Sequence, residues 1–218
     1  MKALWRFSDP GDFSFARASR RGTWHGEPQV RIRPLVMEWE AGSDVIGDFT
    51  WPGFDSDIVI SDRAAQALLQ AGIPGFELSN IELVETRKNV RALDKGKGTV
   101  RLPYSGPVLW DLWVTETAAL DRERSTITCD HEGGTPQWEV KGVEWREAVW
   151  DSQLKMLNKI LHPRVEGQGL FVRTARGIFR VAEFPGWIFC SDDVKTLIEN
   201  RCFTNVSFLQ MGDEISAS

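Results

Sequence analysis

The sequence predicts a strand-rich α+β protein, and three observations predict it. A strand–helix–strand pattern occurs twice, at about 58–78 and 188–208, at a constant offset of 130 residues. Short apolar runs bounded by Gly, Pro, Asn and Asp outnumber amphipathic helical stretches. The 218 residues are 42% hydrophobic and 26% charged, the balance of a globular chain long enough to bury a core unaided.

Within each copy the elements follow from local chemistry. Ile58-Val59-Ile60 and Ile188-Phe189-Cys190 are apolar runs of strand type. Ser61 and Ser191 stand where a helix needs an N-cap, and Asp62 and Asp192 suit the positive end of the helix dipole. Ala64, Ala67, Leu68 and Ala71 recur at i, i+3, i+4 and i+7, and Val194, Leu197 and Ile198 begin the same stripe. Gly72 is placed to end the first helix. Gly75 and Asn205 both tolerate φ > 0 in the turn that follows. Phe76 and Leu78 then alternate, as do Val206 and Phe208. An aromatic-Pro-Gly turn precedes each copy, Trp51-Pro52-Gly53 and Phe184-Pro185-Gly186.

The intervening chain reads as further strands. Gln29 to Trp39 carries Pro34, which implies an edge or a break. Glu82 to Lys88 reads as a continuing strand, and Val108 to Val114 as a strongly apolar one. Leu170-Phe171-Val172 and Gly177 to Val181 complete the set. Trp145 to Leu161 reads as a helix with Val149, Leu154, Leu157 and Leu161 inward and Pro163 after its end. The long spacing between the copies predicts either two sub-domains, 1–105 and 106–218, or one continuous domain.

Composition excludes several functions. The net charge is −5, without the basic excess of a nucleic-acid binder. The densest basic run, Arg87, Lys88, Arg91, Lys95, Lys97 and Arg101, is broken by Asp94 and punctuated by glycine, so it reads as a solvated loop. Three cysteines, Cys129, Cys190 and Cys202, make no disulfide framework and fit a reducing compartment. Charge at Arg6 and the turn from Asp9 to Asp12 interrupt any signal-peptide core, and no apolar run is long enough to span a bilayer. The expected location is the cytoplasm.

Catalytic constellations do not assemble. Gly96-Lys97-Gly98-Thr99 lacks the earlier glycine and the Gly-Lys-Ser/Thr of a phosphate loop. Cys129 and His131 are two apart beside Glu132, without a second ligand pair for zinc; His25 joins them only through long-range folding. No serine sits in a Gly-x-Ser-x-Gly elbow, and Cys202 falls at a helix end whose dipole disfavours a thiolate. His162 precedes Pro163 at a helix end, and Asp192 and Asp193, adjacent on a helix, point apart. No catalytic, cofactor-binding or metal residue is therefore assigned. The remaining candidate is an acidic and aromatic stretch, Asp44, Asp48, Trp51, Phe54, Asp55 and Asp57, read as a partner-binding surface. Its aromatic side chains would anchor a polypeptide and its carboxylates would steer a basic one. The competing reading makes Phe49 and Trp51 core and the aspartates turn formers.

Asp48-Phe49-Thr50-Trp51-Pro52-Gly53, Ile58 to Arg63, Ala71 to Phe76, Pro107 to Val114 and Gly186 to Val206 occur in an order that resembles the double-CXXCG-motif family. Members of that family in myxobacteria are immunity partners of swarming-inhibition toxins. The resemblance implies a non-catalytic protein that neutralises a cognate toxin, one encoded by the neighbouring gene, by binding it. The motif cysteines are degenerate here. The second motif reads Cys129-Asp130-His131-Glu132-Gly133-Gly134 and the first, near Arg21 to Gly26, has no cysteine. No metal is therefore expected, and packing through Trp24 and Trp138 takes over the loops. The alternatives are a general protein-interaction module and an enzyme with a scattered metal or carboxylate site. Neither the toxin nor the oligomeric state is specified by the residues.

Overall fold

The computed structural model describes residues 2–21, 33–53, 56–85, 98–130, 136–143, 147–151, 156–160, 165–173 and 176–215, with backbone alone for 147–151 and 156–160. It is a strand-rich α+β fold. The strands of the first half are β1 (Lys2–Ser8), β2 (Ala18–Arg20), β3 (Leu35–Trp39), β4 (Phe49–Gly53), β5 (Asp57–Ser61), β6 (Phe76–Ser79) and β7 (Ile81–Leu83), with helix α1 (Asp62–Gln70) after β5. There follow β8 (Leu109–Val114), β9 (Thr117–Leu120), β10 (Ile127–Asp130), β11 (Gln137–Val140), β12 (Glu147–Asp151), β13 (Met156–Ile160), β14 (Leu170–Arg173), β15 (Ile178–Val181) and β16 (Phe189–Ser191). Helix α2 (Asp192–Asn200) and β17 (Ser207–Ile215) complete the described chain.

Six strands close a barrel in the order β1-β16-β15-β9-β14-β17, parallel at β9–β15 and β14–β17 and antiparallel elsewhere. Its centre is filled by Leu4, Leu170, Val172, Phe179, Val181, Phe189 and Met211, so it is a packed core. A second sheet runs β4-β5-β8-β6, a third β2-β3-β7, and β10–β11 and β12–β13 pair separately. The sheets do not divide at residue 105. β8 lies between β5 and β6 and completes the sheet of the first half, whereas β1 lies between β16 and β17 and completes the barrel. Hydrogen-bond demand sets this arrangement, because a central strand position left empty would strand two ladders of backbone groups.

Both helices span nine residues and follow a serine in extended conformation. The Ser61 hydroxyl accepts the Ala64 amide at 3.3 Å, whereas that of Ser191 accepts the Gly177 amide at 2.9 Å and lies against Asp193. The two C-termini share one geometry. Gly72 N–H donates to Leu69 O and Ile73 N–H to Leu68 O; Cys202 N–H donates to Glu199 O and Phe203 N–H to Ile198 O. This is the Schellman closure, with φ of 65° at Gly72 and 50° at Cys202. Ala64, Ala65 and Leu68 of α1 and Val194 and Ile198 of α2 enter one apolar core with Phe7, Phe49, Ile58, Ile60, Leu112, Ile178 and Ile188.

The expected helix over 145–161 is replaced by the antiparallel pair β12 and β13, with Val149 opposite Asn158 and Trp150 opposite Leu157. The spacing explains why. Leu154, Leu157 and Leu161 would share a helix face, but the segment's other apolar residues, among them Ala148, Val149, Met156 and Ile160, would spread the apolar surface over about 240° of the circumference at about 100° per residue, too wide for one buried stripe. Trp145, Leu154, Leu161 and Pro163 lie outside the described residues. The strand expected from Gln29 begins only at Leu35, after Pro34, and the one expected from Glu82 spans Ile81–Leu83. The remainder of each segment, 29–32 and 86–88, also lies outside the described residues.

Two positions make the backbone geometry testable. At Gly212, a Cβ would fall 1.6 Å from the Leu170 carbonyl oxygen, because Leu170 of β14 lies directly opposite Gly212 in the parallel pair with β17. Gly212→Ala should lower stability by about 3 kcal/mol or more, read by urea unfolding. Cys202 holds a left-handed conformation that disfavours any Cβ. Cys202→Gly should raise stability by about 1 kcal/mol, and an unchanged urea midpoint would contradict the strain argument.

Candidate functional site

Four of the six residues expected to bind a partner lie among the described residues, and three of these are in the core. Asp48, Trp51 and Asp57 are 8%, 9% and 1% exposed. Asp44 is exposed. Phe54 and Asp55 lie outside the described residues.

Asp48 precedes β4 and is the hub of a polar knot. Its carboxylate accepts the Ser61 hydroxyl at 2.8 Å, Arg63 Nε at 3.0 Å, and the amide and hydroxyl of Thr204, each at 3.0 Å. Arg63 also donates through its Nη2. The knot ties the start of α1 to the turn after α2. Burial pushes the Asp48 carboxyl up, but Arg63, the Thr204 amide and the two hydroxyls outweigh it and hold the group below the usual carboxylate range. Trp51 donates its indole N–H to Asn205 O at 2.9 Å, a second tie to the same turn. Asp57 pairs with Arg20 at 3.2 Å and joins β5 to β2. These side chains hold the fold and are unavailable to a partner.

The lack of alternation decides this placement. All five residues of β5 and the first four of β4 are buried, because the sheet is covered on both faces. An aspartate in such a strand needs an internal partner.

What remains at the surface is a pair of linked loops. Ala16 N–H donates to Val45 O at 2.6 Å and the Ser43 hydroxyl to Ser14 O at 2.6 Å, joining residues 9–17 to 40–47. Phe13 and Val45 are 60% and 54% exposed. Asp12 turns its loop by accepting the Ser14 amide at 2.8 Å, and Arg17 lies 4.9 Å from the Phe13 ring centroid. Asp44 is thus set in a small acidic and apolar surface. Phe13 escapes the sequence reading, although an aromatic residue inside Asp9-Pro10-Gly11-Asp12-Phe13-Ser14 has no strand or helix to bury it.

The other candidates are dispersed. Cys190 is fully buried; burial and then Asp193 push its thiol well up, so it is inert. Cys202 is exposed, and Cys129 is half-buried in β10 opposite Trp138. Trp138 packs against the barrel core with Arg122 stacked 5.1 Å from its ring centroid. His25, Trp24, His131, Glu132 and His162 lie outside the described residues, as do Arg87, Lys88, Arg91, Lys95 and Lys97. Arg101 is exposed. Of the glycine-lysine loop, Gly98 O accepts the Gly42 amide and the Thr99 hydroxyl donates to Glu40 O, so these residues serve the loop's own packing. Among the described residues no group of three His, Cys, Asp or Glu side chains is arranged to hold a metal ion. Among them, too, no helix is long and apolar enough to cross a membrane.

Comparison with models of known protein families and with curated proteins finds no match to this chain.

The Asp48 knot gives a stability prediction with a defined sign. Asp48→Ala should cost about 2 kcal/mol, because the buried Ser61 hydroxyl and the Thr204 amide lose their acceptor. Arg63→Ala should cost about 1 kcal/mol or less, since its side chain is half in solvent. A depressed carboxyl stabilises above its unfolded value and loses that effect as pH falls through its folded value. The gap between parent and Asp48→Ala should therefore close as pH drops below about 4, measured by chemical unfolding at several pH values.

Proposed function

We propose that the protein is an immunity protein that binds and neutralises a cognate bacterial toxin in the cytoplasm, without catalysis. The observation that carries the reading is the linked loop pair: exposed Phe13 and Val45 sit with Asp44 on a rigidly tied surface of a net acidic chain. An exposed aromatic residue supplies contact area at low entropic cost, and carboxylates steer and orient a basic polypeptide. Dispersed reactive groups and the blockwise resemblance to the double-CXXCG-motif family support the same reading. The partner surface is proposed to include Asp44 together with Phe13 and Val45, in place of Asp48, Trp51 and Asp57.

The two strand–helix–strand segments are proposed to be copies of one unit, supported by their equal helix lengths and the shared Schellman closure.

Co-expression with the product of the neighbouring gene tests the function. The protein should restore growth to cells that produce that toxin and should bind it in a purified mixture. Phe13→Ala and Asp44→Lys should each weaken binding tenfold or more, about 1.4 kcal/mol, with unfolding midpoints unchanged. A harmless neighbour, or toxicity that persists in the protein's presence, would sink the proposal.

A further inference from the structure

Resting on the reading of the two segments as copies, we infer that the chain is a single-chain pseudo-dimer, two five-element units packed about an approximate twofold axis, whose second unit carries its central strand at the start of the chain. The first unit is β4, β5, α1 and β6 with β8 between β5 and β6. The second is β15, β16, α2 and β17 with β1 between β16 and β17. In each, the outer strand, the strand before the helix, the central strand and the strand after the helix adjoin in the same order, all antiparallel to their neighbours.

The registers agree residue by residue. Phe49 opposes Ile60, and Ile178 opposes Cys190. Trp110 opposes Ile60 as Trp5 opposes Cys190. Leu112 opposes Leu78 as Phe7 opposes Phe208. Leu4-Trp5-Arg6-Phe7 and Leu109-Trp110-Asp111-Leu112 are thus the same strand, 105 residues apart. The central tryptophan in each unit clamps the helix N-terminus: Trp110 Nε1 donates to Asp62 at 2.9 Å, and Trp5 Nε1 donates to Asp192 at 2.9 Å. Ser61 N–H donates to Asp48 O at 2.9 Å, and Ser191 N–H to Gly177 O at 3.0 Å.

Contacts between the units are reciprocal. Ile178 N–H of the second unit donates to Pro74 O at 3.0 Å, in the turn after α1. Phe49 N–H of the first donates to Thr204 O at 3.3 Å, in the turn after α2. Ile178 corresponds to Phe49 and Pro74 to Thr204. An i-to-j contact accompanied by its j-to-i counterpart is the mark of an isologous, twofold interface. Both helices feed one shared apolar core, as such an interface requires. Asp48, by contrast, has Gly177 at its equivalent position, so the carboxylate knot belongs to one half of the interface only.

The order of strands makes the inference testable. In the first unit β8 follows β6 in the chain. In the second, β1 would follow β17 if the ends were joined, and Lys2 already opposes Glu214 across that strand pair. A circular permutant with a short Gly-Ser linker from Ser218 to Met1 and new ends between the exposed Ser105 and Gly106 begins with β8. It reproduces the parent topology with the two units interchanged. It should unfold in one cooperative transition and keep the parent's near-ultraviolet circular dichroism. A permutant opened between Gln66 and Ala67, inside α1, should do neither. In the unpermuted chain, Trp5→Phe and Trp110→Phe should each lower Tm by a similar amount, about 3 °C.

Unequal tryptophan losses, with one variant matching the parent, would overturn the two-copy reading itself. Alike tryptophans with no cooperative transition in the Ser105–Gly106 permutant would overturn the carried-over strand alone. Neither readout involves a toxin, so each outcome is separate from that of the neutralisation experiment.

Discussion

The shared burial of both helices over one apolar seam constrains everything else in the molecule. A nine-residue helix is too short to persist alone in water. α1 and α2 exist because Ala64, Leu68, Val194 and Ile198 are withdrawn from solvent against Phe7, Phe49, Ile60 and Ile178. That seam draws on β1, near one end of the chain, and on β4, β5, β8, β15 and β16. It can therefore form only when distant segments arrive together. The polar ties of Asp48, Trp51 and Asn205 lie at its margin and fix the angle at which the pieces meet.

Polar groups in such a setting serve specificity as much as energy. The Asp48 carboxylate is nearly removed from solvent, and its cost is met only if the hydroxyls, the amide and the guanidinium all reach it. A misplaced turn after α2 would leave it unsatisfied. The knot thus rejects near-native packings that apolar contacts alone would tolerate. The same requirement commits Asp48, Trp51 and Asp57 to the interior of the fold.

Legibility in the sequence followed the range of the interactions. The bounds of both helices are local, and the periodicity after Ser61 and Ser191 describes them to within a residue or two, as Gly72 does the first closing turn; the Ser61 hydroxyl caps its helix, whereas that of Ser191 does not. β8, β14 and β15 are also apparent from their apolar runs. The 145–161 segment misled because Leu154, Leu157 and Leu161 align on one helix face, whereas the other apolar residues of the segment fall outside it. Asp48 and Asp57 misled for another reason: a carboxylate buried against Arg63 or Arg20 looks, in one dimension, like a carboxylate in water. Its partner stands fifteen or thirty-seven residues away, beyond any local pattern. Phe13 went unread since exposure of an aromatic side chain is a property of the fold around it.

The pairing of β1 with β17 has a mechanical side. The strands run antiparallel and their outer ends, Lys2 and Glu214, lie opposite one another. A pull that separates those two ends loads the ladder one hydrogen bond at a time, as a zipper is loaded, and never the whole row in shear. Since β1 also borders β16 and supplies Leu4 to the barrel and Phe7 to the helical seam, removing that single strand opens both cores at once.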